Sequence, residues 1–142
     1  MARKRLELRE FFRVDAIVPM SVRSLTTADA SQYTCHMTGQ GFDENTKKGL
    51  LCKINISGAG ICFESATAYS AGDLLDIRLM LETVYPGIIA LCAKVLRVER
   101  YPKHYCVAVK YEWLDEDIRE LIVKFVFQRE RILIQEKRVG WL

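Results

Sequence analysis

Two short patterns in the sequence contain side chains that could bind an anion or a nucleotide. The first is a pair of arginines spaced by four, Arg9 and Arg13, and the second is the segment Asn55-Ile56-Ser57-Gly58-Ala59-Gly60. An arginine can pair bidentately with a phosphate, or with O6 and N7 of a guanine, and it can stack on a base. Asn55 offers an amide for the edge of a base, and Ser57 offers a hydroxyl and a backbone amide.

The second pattern also has the residues of a tight turn. Gly58 eases a turn, and Gly60 has no Cβ at a point where a backbone or a base could approach closely. The same segment would form an ordinary hairpin turn in a protein that binds nothing there, and an arginine-rich terminus is often simply solvated. Neither pattern is specific alone, so the interpretation depends on where the fold places one relative to the other.

The excess of positive charge lies at the N-terminus. The formal net charge is only +3, from 21 basic and 18 acidic residues, which does not by itself indicate a nucleic-acid-binding protein. Residues 1–13 nevertheless contain Arg3, Lys4, Arg5, Arg9 and Arg13 against Glu7 and Glu10. Because this segment has no strong apolar pattern, we predict a flexible basic arm that becomes ordered when its arginines meet phosphates.

The elements that would position these side chains are predicted to be strands. From Val14 to Val22 apolar residues alternate with other residues, which is the period of a strand with one buried face. Five further strand patterns cover residues 50–56, 61–64, 74–81, 88–98 and 105–111. The second and third strands are joined tightly by the turn that contains Ser57. Six strands in succession favour a barrel or a sandwich over residues 14–114.

One long segment interrupts this pattern. Residues 26–49 are polar and contain three glycines, so we predict a loop or a hairpin extension inserted into the strand-rich region rather than a part of the core.

After residue 114 the apolar period changes to three and four residues. This change predicts a C-terminal helix of about twenty residues, within residues 115–142, with Asp115 as its N-cap. A second apolar row on the helix, Val123, Phe127 and Ile134, exceeds what one packing surface requires. It indicates either deeper burial of the helix or a contact through it, in a homodimer or with another partner.

Taken together, the two patterns resemble the signature of the PilZ domain family, which is RxxxR ahead of the first strand followed by (D/N)xSxxG on a neighbouring hairpin. Both halves are intact, and the likeness extends from Arg9 through the strands to the helix. The resemblance implies an all-β fold, namely a six-stranded antiparallel β-barrel with a C-terminal α-helix. It also implies a receptor or adaptor that binds the bacterial second messenger cyclic di-GMP.

The resemblance also assigns residues to the ligand site. These are Arg9, Arg13, Asn55, Ser57 and Gly60, with Gly58 as a weaker member. Ligand binding would then move the basic arm across the barrel and change a contact with a protein partner in motility, secretion or polysaccharide synthesis. Many family members have another arginine directly before the first motif arginine, whereas this chain has Leu8. We therefore expect one cyclic di-GMP per site, although Arg3, Lys4 or Arg5 could compensate.

The rest of the composition argues against a metal site, a cofactor and a catalytic centre. The cysteines at 35, 52, 62, 92 and 106 are odd in number and form no CxxC pair, so they are expected to be reduced thiols. The two histidines, His36 and His104, have no second ligand at close spacing. No nucleophile lies beside a base by motif and no phosphate loop is present, so we expect no enzymatic activity.

Two alternatives stay open. A protein-interaction module that binds no nucleotide could work through the helix and residues 26–49, and a small barrel could bind single-stranded nucleic acid. Charged residues break every apolar run near the start of the chain, and no later run could span a bilayer. We therefore expect a cytoplasmic location.

Overall fold

The strands place apolar side chains at alternate positions in one core, and together they build a barrel. The computed structural model describes residues 12–39, 41–42 and 51–140, with side chains as far as residue 134. The strands are β1 (Arg13–Leu25), β2 (His36–Met37), β3 (Leu51–Ser57), β4 (Gly60–Ser65), β5 (Leu74–Leu79), β6 (Ile89–Arg100) and β7 (Tyr105–Glu112).

Six of these strands close into an antiparallel barrel. Neighbouring strands follow the order β6-β5-β1-β3-β4-β7, and β7 pairs again with β6. The short β2 pairs with β6 outside this ring, where His36 lies opposite Ala90. The prediction of a six-stranded antiparallel barrel followed by a helix is confirmed.

The first strand is long because it pairs with two different neighbours. Its first half, Arg13 to Pro19, pairs with β3, and its second half, Met20 to Leu25, pairs with β5. Proline has no backbone N–H to donate to a ladder, so its place at the exchange of partners suits its chemistry. In the first half, alternate side chains beginning with Val14 are buried. The side chains of Arg13 and Asp15 therefore lie on the outer face of the barrel.

The C-terminal helix packs its first half on the barrel and extends beyond it. We name it α2 (Glu116–Gly140), because a shorter helix, α1 (Thr27–Ser31), precedes it in the chain. It has 25 residues, more than the twenty predicted, and is about 37 Å long. The amide of Arg119 donates to the carbonyl of Asp115, so the helix begins where the N-cap was expected. Ile118, Ile122, Val123, Phe125 and Val126 are buried.

The second apolar row of α2 changes from buried to exposed along the helix. Val123 is buried and Phe127 is half-buried, whereas Ile134 keeps 47% of its surface exposed; Ile132, from the first row, keeps 41%. Deeper burial therefore accounts for the start of the row and not for its end. Within the described residues, no helix is long and apolar enough to cross a membrane.

The prediction that residues 26–49 form a loop outside the core is wrong in part. A short helix, α1 (Thr27–Ser31), is capped by the hydroxyl of Thr26, and β2 follows it. Ala30 and Cys35 are buried. The apolar residues here are too few and too irregularly spaced to show a period, so the sequence pattern missed them. Residues 40 and 43–50 lie outside the described residues.

A buried carboxylate attaches this segment to the barrel. Asp76 on β5 is 2% exposed and accepts a hydrogen bond of 2.7 Å from the hydroxyl of Tyr33. Arg23 and Arg78 donate to the same carboxylate at 3.0 and 3.3 Å. Burial, together with the hydrogen bond to Asp76, raises the pKa of Tyr33. Pairing with two guanidiniums and a phenol satisfies a charge that would otherwise be costly to bury.

All five cysteines are free thiols. Cys35 and Cys92 are buried, and desolvation raises the pKa of Cys92 to about 11, so both thiols behave as small apolar side chains. Among the described residues, no three metal-binding side chains of His, Cys, Asp or Glu cluster together.

Candidate ligand-binding site

The fold brings the second arginine of RxxxR next to the hairpin motif. Because β1 and β3 are antiparallel, Arg13 lies opposite Ser57 and Asp15 lies opposite Asn55. Nη1 of Arg13 donates to Oδ1 of Asn55 at 3.0 Å, and Nδ2 of Asn55 donates to Oδ1 of Asp15 at 3.0 Å. The cation on one side and the carboxylate on the other fix which way the Asn55 amide faces.

Ser57 shapes the turn of the hairpin from inside. The residue is fully buried, and its hydroxyl accepts from the amides of Ala59 and Gly60 at 3.1 and 3.2 Å. The same hydroxyl lies 3.4 Å from the carbonyl of Gly60, to which it can donate. Ser57 thus holds the loop between β3 and β4 in one conformation. Its direct contact with a ligand stays a prediction.

Gly60 is needed because β7 passes very close to it. A Cβ at this position would overlap the carbonyl oxygen of Val109 and would lie 3.1 Å from the carbonyl carbon of the same residue. It would also lie 3.2 Å from Cα of Lys110, which is the residue paired with Gly60 across the two strands. The close backbone approach at this glycine is therefore made by a neighbouring strand.

Two side chains that the sequence patterns did not identify donate hydrogen bonds to backbone carbonyls of the turn. The hydroxyl of Tyr111 on β7 donates to the carbonyl of Ser57 at 2.8 Å, and Nη1 of Arg119 on α2 donates to the carbonyl of Gly58 at 2.8 Å. Burial raises the pKa of Tyr111, so its phenol stays protonated and able to donate. Neither residue belongs to a local motif, and only the packing of β7 and α2 brings them here. The turn is thus formed before any ligand arrives.

A groove runs along the outer face of the barrel beside this turn. Its volume is about 470 Å³, within the range of small-molecule sites. It is lined by Asp15, Ala16, Ile17, Lys53, Ile54, Asn55, Cys62, Phe63, Glu64, Cys106 and Arg129. Of the predicted site residues, Asn55 lines the groove, and Arg13 contacts both Asn55 and the lining thiol of Cys62, 3.8 Å from its Nη1.

The first arginine of the pair is not placed by the structure. Arg9 lies outside the described residues, as do Arg3, Lys4, Arg5 and Leu8. The assignment of Arg9 to the site and the number of ligands per site therefore stay predictions.

The start of β1 also contacts the C-terminal helix. The ring of Phe12 packs edge-on against the ring of Phe127 on α2, with 5.4 Å between the ring centroids. Such aromatic pairs are favourable beyond the area they bury. The residue directly before Arg13 therefore contacts α2.

Comparison with solved structures supports the same fold. A Xanthomonas campestris protein, described as a tetrameric PilZ domain self-assembled via an unusual helical bundle, superimposes with a TM-score of 0.63 and 12% sequence identity. The match covers 87% of this chain and 90% of that one. The inhibitor of motility of Bacillus subtilis gives a TM-score of 0.61 with 16% identity, over 86% of this chain and 51% of that one. This chain thus spans about half of the Bacillus protein.

Comparison of the sequence itself is decisive for the family. A search among curated proteins finds no match, whereas the PilZ domain family matches residues 7–128. That range contains both arginines of RxxxR, the hairpin motif, all seven strands and the barrel-packing half of α2. The chain belongs to the PilZ domain family.

Proposed function

We propose that this protein is a cyclic di-GMP receptor that acts as an adaptor and not as an enzyme. PilZ domains are binding and adaptor modules. The observation that carries the proposal is the contact between Arg13 and Asn55, because it joins the two halves of the ligand signature at the edge of a groove.

The chemistry of the ligand fits these side chains. Cyclic di-GMP has two phosphates and two guanines, and a guanidinium has five donors of which Arg13 uses one on Asn55. The remaining donors of Arg13, and those of Arg9, would bind phosphate oxygens or the O6 and N7 atoms of a guanine. Asn55 would present its amide to a base edge. Ser57, Gly58 and Gly60 would supply a turn of fixed shape that requires no rearrangement on binding.

The basic arm is the part of the chain that we expect to respond most to the ligand. Saturation with cyclic di-GMP should slow amide hydrogen exchange in residues 3 to 13, because contacts between Arg9, Arg13 and the ligand would order this segment. The measurement is exchange followed by mass spectrometry, with the peptides of β5 as an internal reference. Unchanged exchange in residues 3 to 13 at saturation would contradict the role of the arm.

Two thiols in the groove report on the same site. Cys62 and Cys106 line the groove, whereas Cys52, which is equally half-buried, does not. At a ligand concentration ten times the dissociation constant, about nine-tenths of the sites are filled, so alkylation of Cys62 and Cys106 should slow about tenfold. Mass spectrometry of labelled peptides gives each rate, and Cys52 serves as the control. Equal labelling of Cys62 with and without ligand would place the ligand elsewhere.

The output of the receptor would be a changed contact with a cytoplasmic protein of motility, secretion or polysaccharide synthesis. The contacts of Phe12 with Phe127 and of Arg119 with Gly58 join the ligand site to α2, so this helix is the element that would transmit the change. Its exposed Ile132 and Ile134 also support self-association through α2, and the Xanthomonas protein is described as assembling through a helical bundle. Sedimentation velocity that shows a monomer at all concentrations would contradict self-association.

A further inference from the structure

One cation at the groove belongs to neither half of the motif. Arg129 lies on α2 and is the one residue of that helix, among those described, that lines the groove. It is half-buried, and its Nε donates to the backbone carbonyl of Asp15 at 3.3 Å. It therefore reaches from the helix to the strand that also holds Arg13. In the chain it lies 114 residues from Asp15, so only the fold brings it to this place.

The positive charge of Arg129 is not paired with a carboxylate of any described residue. Among the ion pairs that join described residues, none includes Arg129. A guanidinium has five N–H donors, and the single hydrogen bond to Asp15 occupies only Nε. A neutral side chain could supply one hydrogen bond to a carbonyl. The two terminal nitrogens, with four donors and the positive charge, thus remain available at the groove.

The charge balance of the groove requires another cation if the ligand is to be a dianion. The charged residues that line it are two carboxylates, Asp15 and Glu64, and two cations, Lys53 and Arg129. Without Arg129 the lining would have a net negative charge, which would repel phosphates. Arg13 lies at the edge and has one donor committed to Asn55. Arg129 therefore balances the charge of one of the two carboxylates in the lining.

We propose that Arg129 of α2 binds a phosphate of the cyclic dinucleotide and thereby makes the helix part of the binding site. The inference rests on the proposed function, since it names a further contact at the same site. The ligand would then contact α2 directly. That helix also contacts Phe12 and the turn. The phosphate would accept from the two terminal nitrogens while Nε keeps its bond to Asp15, so the planar guanidinium could bind the phosphate bidentately.

The test is calorimetric titration of cyclic di-GMP into the parent chain, Arg129→Gln, Arg129→Lys and Arg131→Gln, at low and at high ionic strength. Arg129→Gln should bind about tenfold more weakly at low salt, and the difference should shrink at high salt because a charge is involved. Arg129→Lys keeps the charge but loses the planar fork of donors, so its affinity should lie between those of the parent and of Arg129→Gln. Arg131→Gln removes the same charge from an exposed position on the same helix and should bind like the parent.

The outcomes separate this inference from the proposed function. If the parent binds and Arg129→Gln binds equally well at both salt concentrations, the contact with Arg129 is refuted while the receptor function stands. If the parent does not bind, both fail. A measurement on the unmutated chain avoids any effect on folding: saturating ligand should slow modification by phenylglyoxal at Arg129 and not at Arg131. Equal modification of Arg129 with and without ligand would overturn the inference.

Discussion

Replacement of Arg13 by alanine is expected to weaken binding of cyclic di-GMP about a hundredfold or more while the barrel stays folded. Each charge-assisted hydrogen bond lost should cost about 1.5–3 kcal/mol, and Arg13 has donors for more than one. The variant also leaves Oδ1 of Asn55 without the cation, so the amide is held only by its bond to Asp15. Titration calorimetry measures the affinity, and thermal unfolding shows that the fold is intact.

Arg97 provides the matched control for this variant. It is an exposed arginine on the barrel that pairs only with the exposed Glu99 among described residues, and it does not line the groove. Arg97→Ala removes the same charge and should leave the affinity unchanged, because exposed ion pairs contribute little. Parental affinity in Arg13→Ala, or an equal loss in both variants, would show that the signature arginine does not bind the ligand.

Replacement of Gly60 by alanine is expected to lower the free energy of unfolding by about 2–4 kcal/mol. The added Cβ would overlap the carbonyl oxygen of Val109, which is a backbone atom of a paired strand and cannot turn away as a side chain could. Moving β4 away from β7 would also disturb the hydrogen bond that the amide of Gly60 donates to the hydroxyl of Ser57. Chemical denaturation at equilibrium gives the value.

Gly39 is the control for the glycine substitution. Among the atoms of described residues, a Cβ at Gly39 would meet none within 4 Å, so Gly39→Ala should change stability by no more than about 0.5 kcal/mol. A stable Gly60→Ala variant would mean that β4 and β7 can separate without cost. A loss of stability in Gly60→Ala alone would show that the barrel needs this glycine whether or not a ligand is bound.

The barrel strands could be predicted because each places apolar core residues at alternate positions. In β1 every second residue from Val14 to Met20 is buried, and the tight turn between β3 and β4 follows from Ser57 and its glycines. The same reasoning failed for residues 26–49, where Tyr33 is held by Asp76. A single hydrogen bond to a carboxylate forty-three residues away in the chain produces no periodic pattern, so no sequence rule could show it.

The motif residues of the candidate site could be predicted from the sequence, whereas the residues that hold or extend the site could not. Asn55 and Arg13 were identified from the sequence, and the antiparallel register of β1 and β3 brings them together. Tyr111, Arg119 and Arg129 were missed, because they come from β7 and from α2 and meet the site only through packing. Residues of this kind hold or extend a site from distant parts of the chain. Their role is visible only when the helix is placed against the barrel.

The most direct test of the central claim is calorimetric titration of cyclic di-GMP into the folded parent chain. We predict saturable binding with a dissociation constant on the order of micromolar or lower, one ligand per protomer, and loss of the signal in Arg13→Ala. Two ligands per protomer would contradict only the expected stoichiometry. A folded sample that shows no binding at several hundred micromolar, roughly a hundred times that constant, would contradict the assignment of this barrel as a cyclic di-GMP receptor. Salt-dependent binding of single-stranded oligonucleotides by the same sample would then favour a nucleic-acid-binding barrel.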